Sequence, residues 1–156
     1  MKIHEELKLE NQLCFAIYAC SREITKLYQP YLDKLGVTYS QYLVLMVLWE
    51  REECTVKEIG DALYLDSGTL TPLLKRMQTA GLIHRERSVH DERKVLVSLT
   101  EQGKMLHNEA IHIPNAMRNE TCLDDHQFRS LLDQFSGLLT QVHENNVEEK
   151  HKKINK

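Results

Sequence analysis

Several features that assign a function directly are missing from this 156-residue sequence. It contains no run of 18 or more apolar residues, so no segment is expected to span a membrane. The opening residues MKIHEE lack the apolar core of a signal peptide, and we therefore expect a cytoplasmic protein. No glycine-rich phosphate loop or hydrolytic triad is recognisable. Membrane proteins, secreted proteins and nucleotide hydrolases are therefore disfavoured.

Cysteine is sparse, and no two cysteines form a CxxC pair. The four residues are Cys14, Cys20, Cys54 and Cys122. Such scattered thiols are typical of a reduced, cytoplasmic protein. Cys14 and Cys20 lie six residues apart on one predicted helix, a rise of about 9 Å. Because a disulfide needs Cα atoms within about 7 Å, these two are not expected to pair.

The histidines give no metal-binding pattern. His107 and His112 are five residues apart, which places them about 140° apart around a helix and off a common face. No other pair has ligand spacing within a helix or a CxxC partner. We therefore expect neither a bound metal nor another cofactor.

A general excess of positive charge is also missing, since the formal net charge is −3. Residues 75–94 are the exception, with six basic side chains (Lys75, Arg76, Arg85, Arg87, Arg93 and Lys94) against three acidic ones. These charges alone are compatible with an ordinary solvated surface. A basic patch on an acidic body also suits a protein that docks on specific DNA in one orientation.

Residues 55–103 carry the most regular pattern in the chain. Thr55–Leu63 is predicted as a short amphipathic helix because Val56, Ile59 and Leu63 recur at helical spacing. After a turn at 65–68, in which Asp66 or Ser67 can cap, a second helix is predicted from about Thr69 to Ala80-Gly81. Its apolar face consists of Leu70, Leu73, Leu74 and Met77. Its other face carries hydrogen-bonding groups, namely Ser67, Thr71, Lys75, Arg76 and Gln78.

Beyond Gly81 the apolar period changes from helical to alternating. Residues 82–87 and 94–99 alternate apolar and polar side chains, as half-buried strands do, and the polar stretch 88–93 separates them. This predicts a β-hairpin with a charged tip. The predicted fold is mainly α with a small β-hairpin wing (α+β), a winged helix-turn-helix. Its second helix suits the major groove of double-stranded DNA.

Amphipathic helices are predicted on both sides of this element. A first helix over 7–28 should be kinked or ended by Pro30. A second, Gln41–Glu50, presents a face that looks like core: Tyr42, Leu45, Met46 and Trp49. A helix over 101–120, interrupted or bent at Pro114, and a last helix capped by Asp124 follow. Because no large sheet could cover their broad apolar faces, we expect a homodimer.

Four regions follow from this order of elements. We predict an N-terminal dimerisation helix (1–37), a DNA-binding lobe (38–100) and C-terminal dimerisation helices (101–145). The tail, 146–156, is predicted to be disordered because it holds too little apolar surface to offset its ordering entropy.

Cys14 lies on the predicted first helix, and the residues around it leave two roles open. A lone cysteine on an amphipathic helix is most often a small, buried and inert side chain. Tyr18, four residues later, shares a helical face with Cys14 and could offer its hydroxyl to the sulfur.

Several stretches resemble the MarR family of bacterial transcriptional regulators over about residues 8–145. They are DSGTLTPLLKRM at 66–77, GLI at 81–83, DERKV at 91–95 and LTEQG at 99–103. The resemblance implies a dimer in which both termini contribute helices to the interface. The Asp-x-Arg element of the family's wing stands here as Asp91 and Arg93.

ENQLCF at 10–15, with Tyr28 and Tyr39 downstream, is similar more narrowly to the organic hydroperoxide resistance regulators. In that subfamily the cysteine matching Cys14 senses peroxide. The tyrosines matching Tyr28 and Tyr39 come from the partner subunit to hydrogen-bond its thiolate. The resemblance implies a repressor, not an enzyme, that releases its operator when an organic hydroperoxide oxidises Cys14 to a sulfenic acid.

The resemblance leaves open how the sulfenic acid is trapped. One branch of the subfamily uses a small free thiol, and another uses a second cysteine from the partner's C-terminal helical region. Cys122 lies in roughly that region and is a candidate resolving thiol, although the N-terminal segment looks closer to the first branch. Cys20 and Cys54 are expected to be bystanders.

Two alternative functions remain. One is a MarR-type repressor released by a small aromatic ligand, with Cys14 structural. The other is a thiol peroxidase, because a reactive cysteine alone would fit one. The predicted wing and second helix argue against the peroxidase, as does the lack of an arginine in a peroxidatic loop motif.

DNA contacts are predicted from the second helix and the wing. Arg93 should insert into or beside the minor groove, with Asp91 orienting its guanidinium. The other predicted contacts are Ser67, Thr69, Thr71, Lys75, Arg76, Arg85 and Arg87. A two-fold dimer implies a pseudo-palindromic operator with half-sites about one DNA turn apart.

Overall fold

The computed structural model describes residues 4–89 and 91–154. Within them, seven α-helices form: α1 (Leu13–Leu35), α2 (Tyr39–Arg51), α3 (Val56–Leu63), α4 (Ser67–Thr79), α5 (Glu101–Ala110), α6 (Ile113–Glu120) and α7 (Asp125–Ile154). The strands are β1 (Glu53–Thr55), β2 (Ile83–Arg87) and β3 (Val95–Leu99). Two compact units result, Met1–Pro114 and Asn115–Lys156. No helix in the described ranges is long and apolar enough to cross a membrane.

The first helix starts later and ends later than predicted. Short 3-10 turns at Glu5–Leu7 and Leu9–Asn11 precede it, so residues 7–12 are not α-helical. The amides of Asn11 and Gln12 donate to the carbonyls of Glu5 and Glu6 at 2.8 and 2.6 Å, which gives this segment an alternative to helix.

Pro30 lies inside α1 and does not end the helix, so the prediction that the helix could stop there was wrong. The helix continues until Gly36, whose positive φ of 67° suits a residue without a Cβ. Leu32 and Leu35, on the turn after the proline, are buried, so packing of this last turn stabilises the continued helix.

The predicted second helix is confirmed as α2. Thr38 and Gln41 form a capping box at its start, in which each side chain bonds the other residue's backbone N–H. Its residues Val44, Leu45 and Leu48 are fully buried. Met46 is 43% exposed, so its assignment to the core was wrong.

The helix-turn-helix and wing are present as predicted, with one addition. Asp66 caps α4 by accepting from Thr69 N at 3.0 Å, so the helix begins at Ser67 and not at Thr69. Strands β2 and β3 form the antiparallel hairpin, and β1 adds to the free edge of β3 to give the order β1-β3-β2. The three-residue β1 was not predicted. His90, in the predicted hairpin tip, lies outside the described residues.

The core of the first unit forms where α2, α3, α4 and the sheet meet. Its fully buried side chains include Leu45, Leu48, Ile59, Leu70, Leu74, Met77, Ile83 and Val97. The four apolar positions predicted for α4 are all buried, so its opposite face is the one left for a partner.

The helix predicted over 101–120 is interrupted, but before Pro114 and not at it. α5 ends at Ala110, and Pro114 occupies the first turn of α6. A proline there is tolerated because the N–H groups of a first helical turn have no intrahelical acceptor.

In the second unit, Asp124 and Gln127 form reciprocal hydrogen bonds at the start of α7, as the predicted cap requires. The helix extends to Ile154, which differs from the prediction of a disordered tail over 146–156. Glu and Lys are good helix formers, and Lys152 lies 3.9 Å from Glu148 one turn earlier. Residues 155–156 lie outside the described ranges.

Candidate nucleic-acid interface and sensor cysteine

The recognition helix, α4, exposes the polar face that the sequence predicted. Ser67, Thr71, Lys75 and Arg76 are all exposed. Thr69 is exposed as well, but its hydroxyl donates to Asp66 Oδ2 at 3.1 Å. Thr69 therefore helps to cap the helix in addition to facing solvent.

The wing positions Arg93 by local contacts at its tip. Asp91 Oδ1 accepts from both the backbone N of Arg93, at 3.1 Å, and its side-chain Nε, at 3.2 Å. The hairpin is closed below by Ser88 N donating to Lys94 O at 2.9 Å. Arg93 remains 92% exposed, so its guanidinium is oriented and still free to meet a partner.

A groove of about 620 Å³ runs between α3, α4 and the wing. It brings together three of the predicted DNA-contacting residues, Thr71, Arg85 and Arg93, with Lys57 and Lys94 on the same walls. Arg85 is half-buried, and its Nε has no hydrogen-bond partner among the described residues. Arg87 is exposed on β2 and does not line this groove.

Lys57 was missed by the sequence prediction. It follows the capped start of α3 and lies outside the basic stretch 75–94, so charge counting along the chain did not find it. Its cation adds to those of Arg85, Arg93 and Lys94, while Glu58 and Asp61 place two carboxylates in the same lining. The four positive charges outnumber the two negative ones, so the groove keeps a positive excess that can meet phosphate oxygens.

Cys14 is the second residue of α1 and is exposed within the single chain, so this chain does not bury its thiol. Tyr18, one turn later, is 59% exposed and its ring lies 5.5 Å from the guanidinium carbon of Arg22. Among the described residues none donates a hydrogen bond to Cys14 Sγ, so Tyr18 does not hold the thiol within this chain.

Tyr28 and Tyr39 pack together where α1 meets α2, with ring centroids 5.0 Å apart. Burial raises the pKa of Tyr28 to about 12, with a smaller electrostatic contribution from the neighbouring Tyr39 and Tyr42. Burial also raises the pKa of Tyr39. Both phenols therefore stay protonated over the physiological range and can donate hydrogen bonds.

These tyrosines cannot meet Cys14 of the same chain. Cys14 and Tyr28 lie on one continuous helix, and 14 residues of helix rise about 21 Å. Only a second copy of the chain could bring the phenols to the thiol.

The other cysteines differ in exposure. Cys54 is buried, and that burial raises the pKa of its thiol, which favours an unreactive side chain. Cys20 and Cys122 are exposed, and Cys122 adopts a positive φ of 53°.

A second groove, of about 590 Å³, lies where α2, the sheet and α5 meet. Its lining consists of Leu48, Trp49, Glu52, Glu53, Ser98, Leu99, Lys104 and His107. Sites for small aromatic ligands are mostly apolar, whereas half of these side chains are charged or imidazole groups. The groove therefore gives little support to a repressor released by an apolar ligand.

Comparison with known proteins places this arrangement in a family. The family model of the transcriptional regulators SarA/Rot matches residues 26–110. The organic hydroperoxide resistance transcriptional regulator of Bacillus subtilis is 52% identical over 142 residues, which cover 91% of this chain and 97% of that protein.

Solved structures agree with the sequence matches. Reduced AbfR bound to DNA is 36% identical with a TM-score of 0.72, over 88% of this chain and 96% of that one. Disulfide-formed AbfR is 40% identical with a TM-score of 0.60, over 86% and 95% of the two chains. AbfR is a protein of Staphylococcus epidermidis. The chain belongs to the MarR family of winged-helix transcriptional regulators and, within it, to the organic hydroperoxide resistance regulators.

Proposed function

We propose that this chain is a DNA-binding repressor that releases its operator when an organic hydroperoxide oxidises Cys14. The observation that carries the proposal is the exposed Cys14 at the start of α1, in a chain whose Tyr28 and Tyr39 form a pair of protonated phenols. A DNA-binding repressor acts where the chromosome lies, so its proposed location is the cytoplasm.

The proposed working form is a homodimer. Helix geometry keeps Tyr28 about 21 Å along α1 from Cys14, so the phenols must come from the partner subunit. Large apolar side chains are also left uncovered in a single chain. On α1 they include Leu13, Phe15 and Tyr18, and on α7 they include Leu131, Leu132, Phe135 and Leu139. A second copy would remove this surface from water.

Cys14 lies in the first turn of α1, where its side chain is close to unpaired backbone N–H groups. Backbone N–H groups in the first helical turn have no intrahelical acceptor, and the helix dipole favours a negative charge there. Phenol donors from the partner would add hydrogen bonds to the same thiolate. The sulfur then attacks the outer peroxide oxygen, the O–O bond breaks, and a proton completes the alcohol that leaves. Cys14 becomes a sulfenic acid.

The fate of the sulfenic acid distinguishes two routes. A small thiol would displace water and leave a mixed disulfide on Cys14. Cys122, which is exposed, would instead leave a disulfide between subunits. We propose the small thiol as the principal trap. The two routes are separated after oxidation in the presence of excess small thiol. The first adds the mass of the small thiol to the subunit, which mass spectrometry detects. The second produces a covalent dimer, which a non-reducing gel detects.

DNA binding uses the exposed face of α4 and the two wings of the dimer. Ser67, Thr71, Lys75 and Arg76 face the major groove in this proposal, and Arg93 reaches the minor groove or phosphates beside it. Arg85, Lys57 and Lys94 contact the DNA phosphates that lie between the major and minor grooves. Two-fold symmetry implies a pseudo-palindromic operator.

Replacing Arg93 by alanine should weaken operator binding by about 1–3 kcal/mol, or roughly 5- to 150-fold in Kd. The side chain is almost fully exposed and, within residues 4–89 and 91–154, bonds Asp91 alone, so its loss should leave the fold intact. A gel-shift titration at moderate salt measures the effect. Glu92→Ala, which changes a neighbouring exposed tip residue, is the control and should not weaken binding. Unchanged affinity for Arg93→Ala would contradict the role of the wing.

Tyr28→Phe and Tyr39→Phe should each slow oxidation of Cys14 by about tenfold, because a donor to the thiolate is lost. Binding of the reduced protein to the operator should be unaffected. The rate is measured as loss of free Cys14 after mixing with cumene hydroperoxide. Tyr31→Phe is the matched control, since Tyr31 lies on the same helix and its ring contacts His112 instead. Equal rates in all three variants would exclude the phenols from the sensor.

The proposed function is tested by titrating operator DNA with reduced protein, and then adding cumene hydroperoxide and a small thiol. Release of the DNA, reversed by a strong reductant, is the expected result. A ligand-released repressor predicts no response to the hydroperoxide. A thiol peroxidase predicts many turnovers of hydroperoxide per subunit and no specific operator complex.

A further inference from the structure

We infer that Trp49 is a positioning residue that transmits the state of the Tyr28–Tyr39 pair to the recognition helix. The inference rests on the proposed function, because it describes how oxidation at one end of the first unit alters DNA binding at the other. Trp49 does not contact Cys14 within the chain and lies outside the proposed DNA contacts. Its role is confined to the path between them.

The path begins with ring contacts along α2. Tyr28, on α1, packs against Tyr39 at 5.0 Å and against Tyr42 at 6.1 Å between ring centroids. Tyr42 in turn meets Trp49, two turns further along α2, edge to face at 6.0 Å. Tyr42 is only 3% exposed, so it has no free space into which it could move independently of its neighbours.

Trp49 connects α2 to α5. Its indole Nε1 donates to the carbonyl of Gly103 at 3.0 Å, and this is a contact between residues 54 positions apart in sequence. The indole ring also meets the imidazole of His107 edge to face at 5.4 Å. A hydrogen bond and an aromatic contact therefore connect the first two turns of α5 to the end of α2.

The start of α5 is bonded in turn to the residues that end the recognition helix. Thr100 donates from its backbone N to Leu82 O at 3.1 Å, and from its hydroxyl to Gly81 O at 2.6 Å. Leu82 N donates to Met77 O, inside α4, at 3.0 Å. The two backbones are so close that a Cβ on Gly103 would overlap the carbonyl oxygen of Leu82.

A displacement of Tyr28 or Tyr39 can therefore reach α4 through Tyr42, Trp49 and Gly103 without crossing a gap. When the partner's Cys14 is oxidised, the phenols lose the thiolate that they bond. The tyrosine pair then takes a new position, and Trp49 carries the shift to the end of the recognition helix. A residue with this role alters the coupling between oxidation and DNA binding, and it leaves the rate of oxidation unchanged.

Two substitutions at position 49 test this role. Trp49→Phe keeps an aromatic ring and removes the Nε1 donor. Because Trp49 is the only tryptophan in the sequence, a tryptophan-auxotrophic host can also replace it alone with β-(3-benzothienyl)alanine. That analogue keeps the double ring and carries sulfur in place of the N–H group, so it tests the hydrogen bond with the packing retained.

The measured quantity is the ratio of operator Kd in the oxidised and reduced states. In the parent chain this ratio should be roughly 5 to 150, the usual range of coupling between two sites. Both Trp49 variants should bind operator like the parent when reduced, react with hydroperoxide at the parent rate, and show a ratio at least about fivefold smaller. Tyr31→Phe, whose ring contact with His112 lies off the path, should keep the parent ratio.

Two outcomes would count against the inference, and they are distinguishable. A parent chain whose affinity ignores hydroperoxide would overturn the proposed function and this inference with it. If the parent responds and the benzothienyl variant responds by the same factor, only the role of Trp49 is overturned.

Discussion

Replacing Gly103 by alanine should lower the free energy of unfolding by about 3 kcal/mol, which combines overpacking with disturbed hydrogen bonds. The added Cβ would overlap Leu82 O and would lie 3.1 Å from Leu99 Cδ2. Leu82 O is a backbone atom that accepts from Thr100 N, so it cannot turn away as a flexible side chain could. Relief requires the start of α5 to move away from the turn after α4.

Thermal unfolding measures this effect, and the midpoint should fall by roughly 10 °C for a chain of this length. Gly137→Ala is the matched control, because Gly137 also lies inside a helix and no described atom comes within 4 Å of its Cβ. That substitution should stabilise the chain by about 0.5–1 kcal/mol through helix propensity. Equal midpoints for the two variants, at the same protein concentration, would show that the structure accommodates a Cβ at position 103 without loss of stability.

The central part of the fold could be predicted because its periodicity and its turn chemistry agree. Apolar spacing located α3, α4 and the hairpin, and Asp124 was recognisable as the cap of the last helix. β1 could not be found, since three residues are too few to display an alternating pattern. Its formation depends on pairing with β3, which lies more than forty positions later in the sequence.

The helix boundaries were less predictable because they depend on packing and on side-chain competition. The first helix was predicted to begin at residue 7, but the amides of Asn11 and Gln12 bond nearby carbonyls and keep residues 7–12 out of it. Pro30 favoured an early end to α1. Burial of Leu32 and Leu35 instead stabilises the turn that follows it.

The sequence predicted some residues of the candidate site and missed others. The Asp91–Arg93 contact was predicted from the resemblance to the family's Asp-x-Arg wing element, and it is formed locally at the hairpin tip. The burial of Arg85 Nε and the placement of Lys57 on the same groove depend on how α3, α4 and the wing meet. The bond from Trp49 to Gly103 could not be inferred from either residue's neighbours in sequence.

Replacing Cys14 by serine should abolish the response to organic hydroperoxide and leave operator binding intact. Serine has nearly the shape of cysteine, and its hydroxyl is not oxidised by a hydroperoxide, so the step that forms the sulfenic acid is removed. Because Cys14 is exposed, the substitution should cost little stability. In the parent chain, oxidation should weaken operator binding by about 1–3 kcal/mol, or roughly 5- to 150-fold.

Cys20→Ser is the matched control for this prediction. Cys20 is also exposed and lies on the same helix, six residues after Cys14. If exposed thiols in α1 reacted without distinction, both variants would respond weakly. A sensor that depends on the start of the helix and on the partner's phenols predicts instead that Cys20→Ser behaves like the parent.

The most direct measurement is the fluorescence anisotropy of labelled operator DNA held by the Cys14→Ser dimer while cumene hydroperoxide and a small thiol are added. The parent complex and the Cys20→Ser complex should dissociate, and the Cys14→Ser complex should persist unchanged through the same additions. Dissociation of the Cys14→Ser complex at the concentration that releases the parent would contradict Cys14 as the sensor.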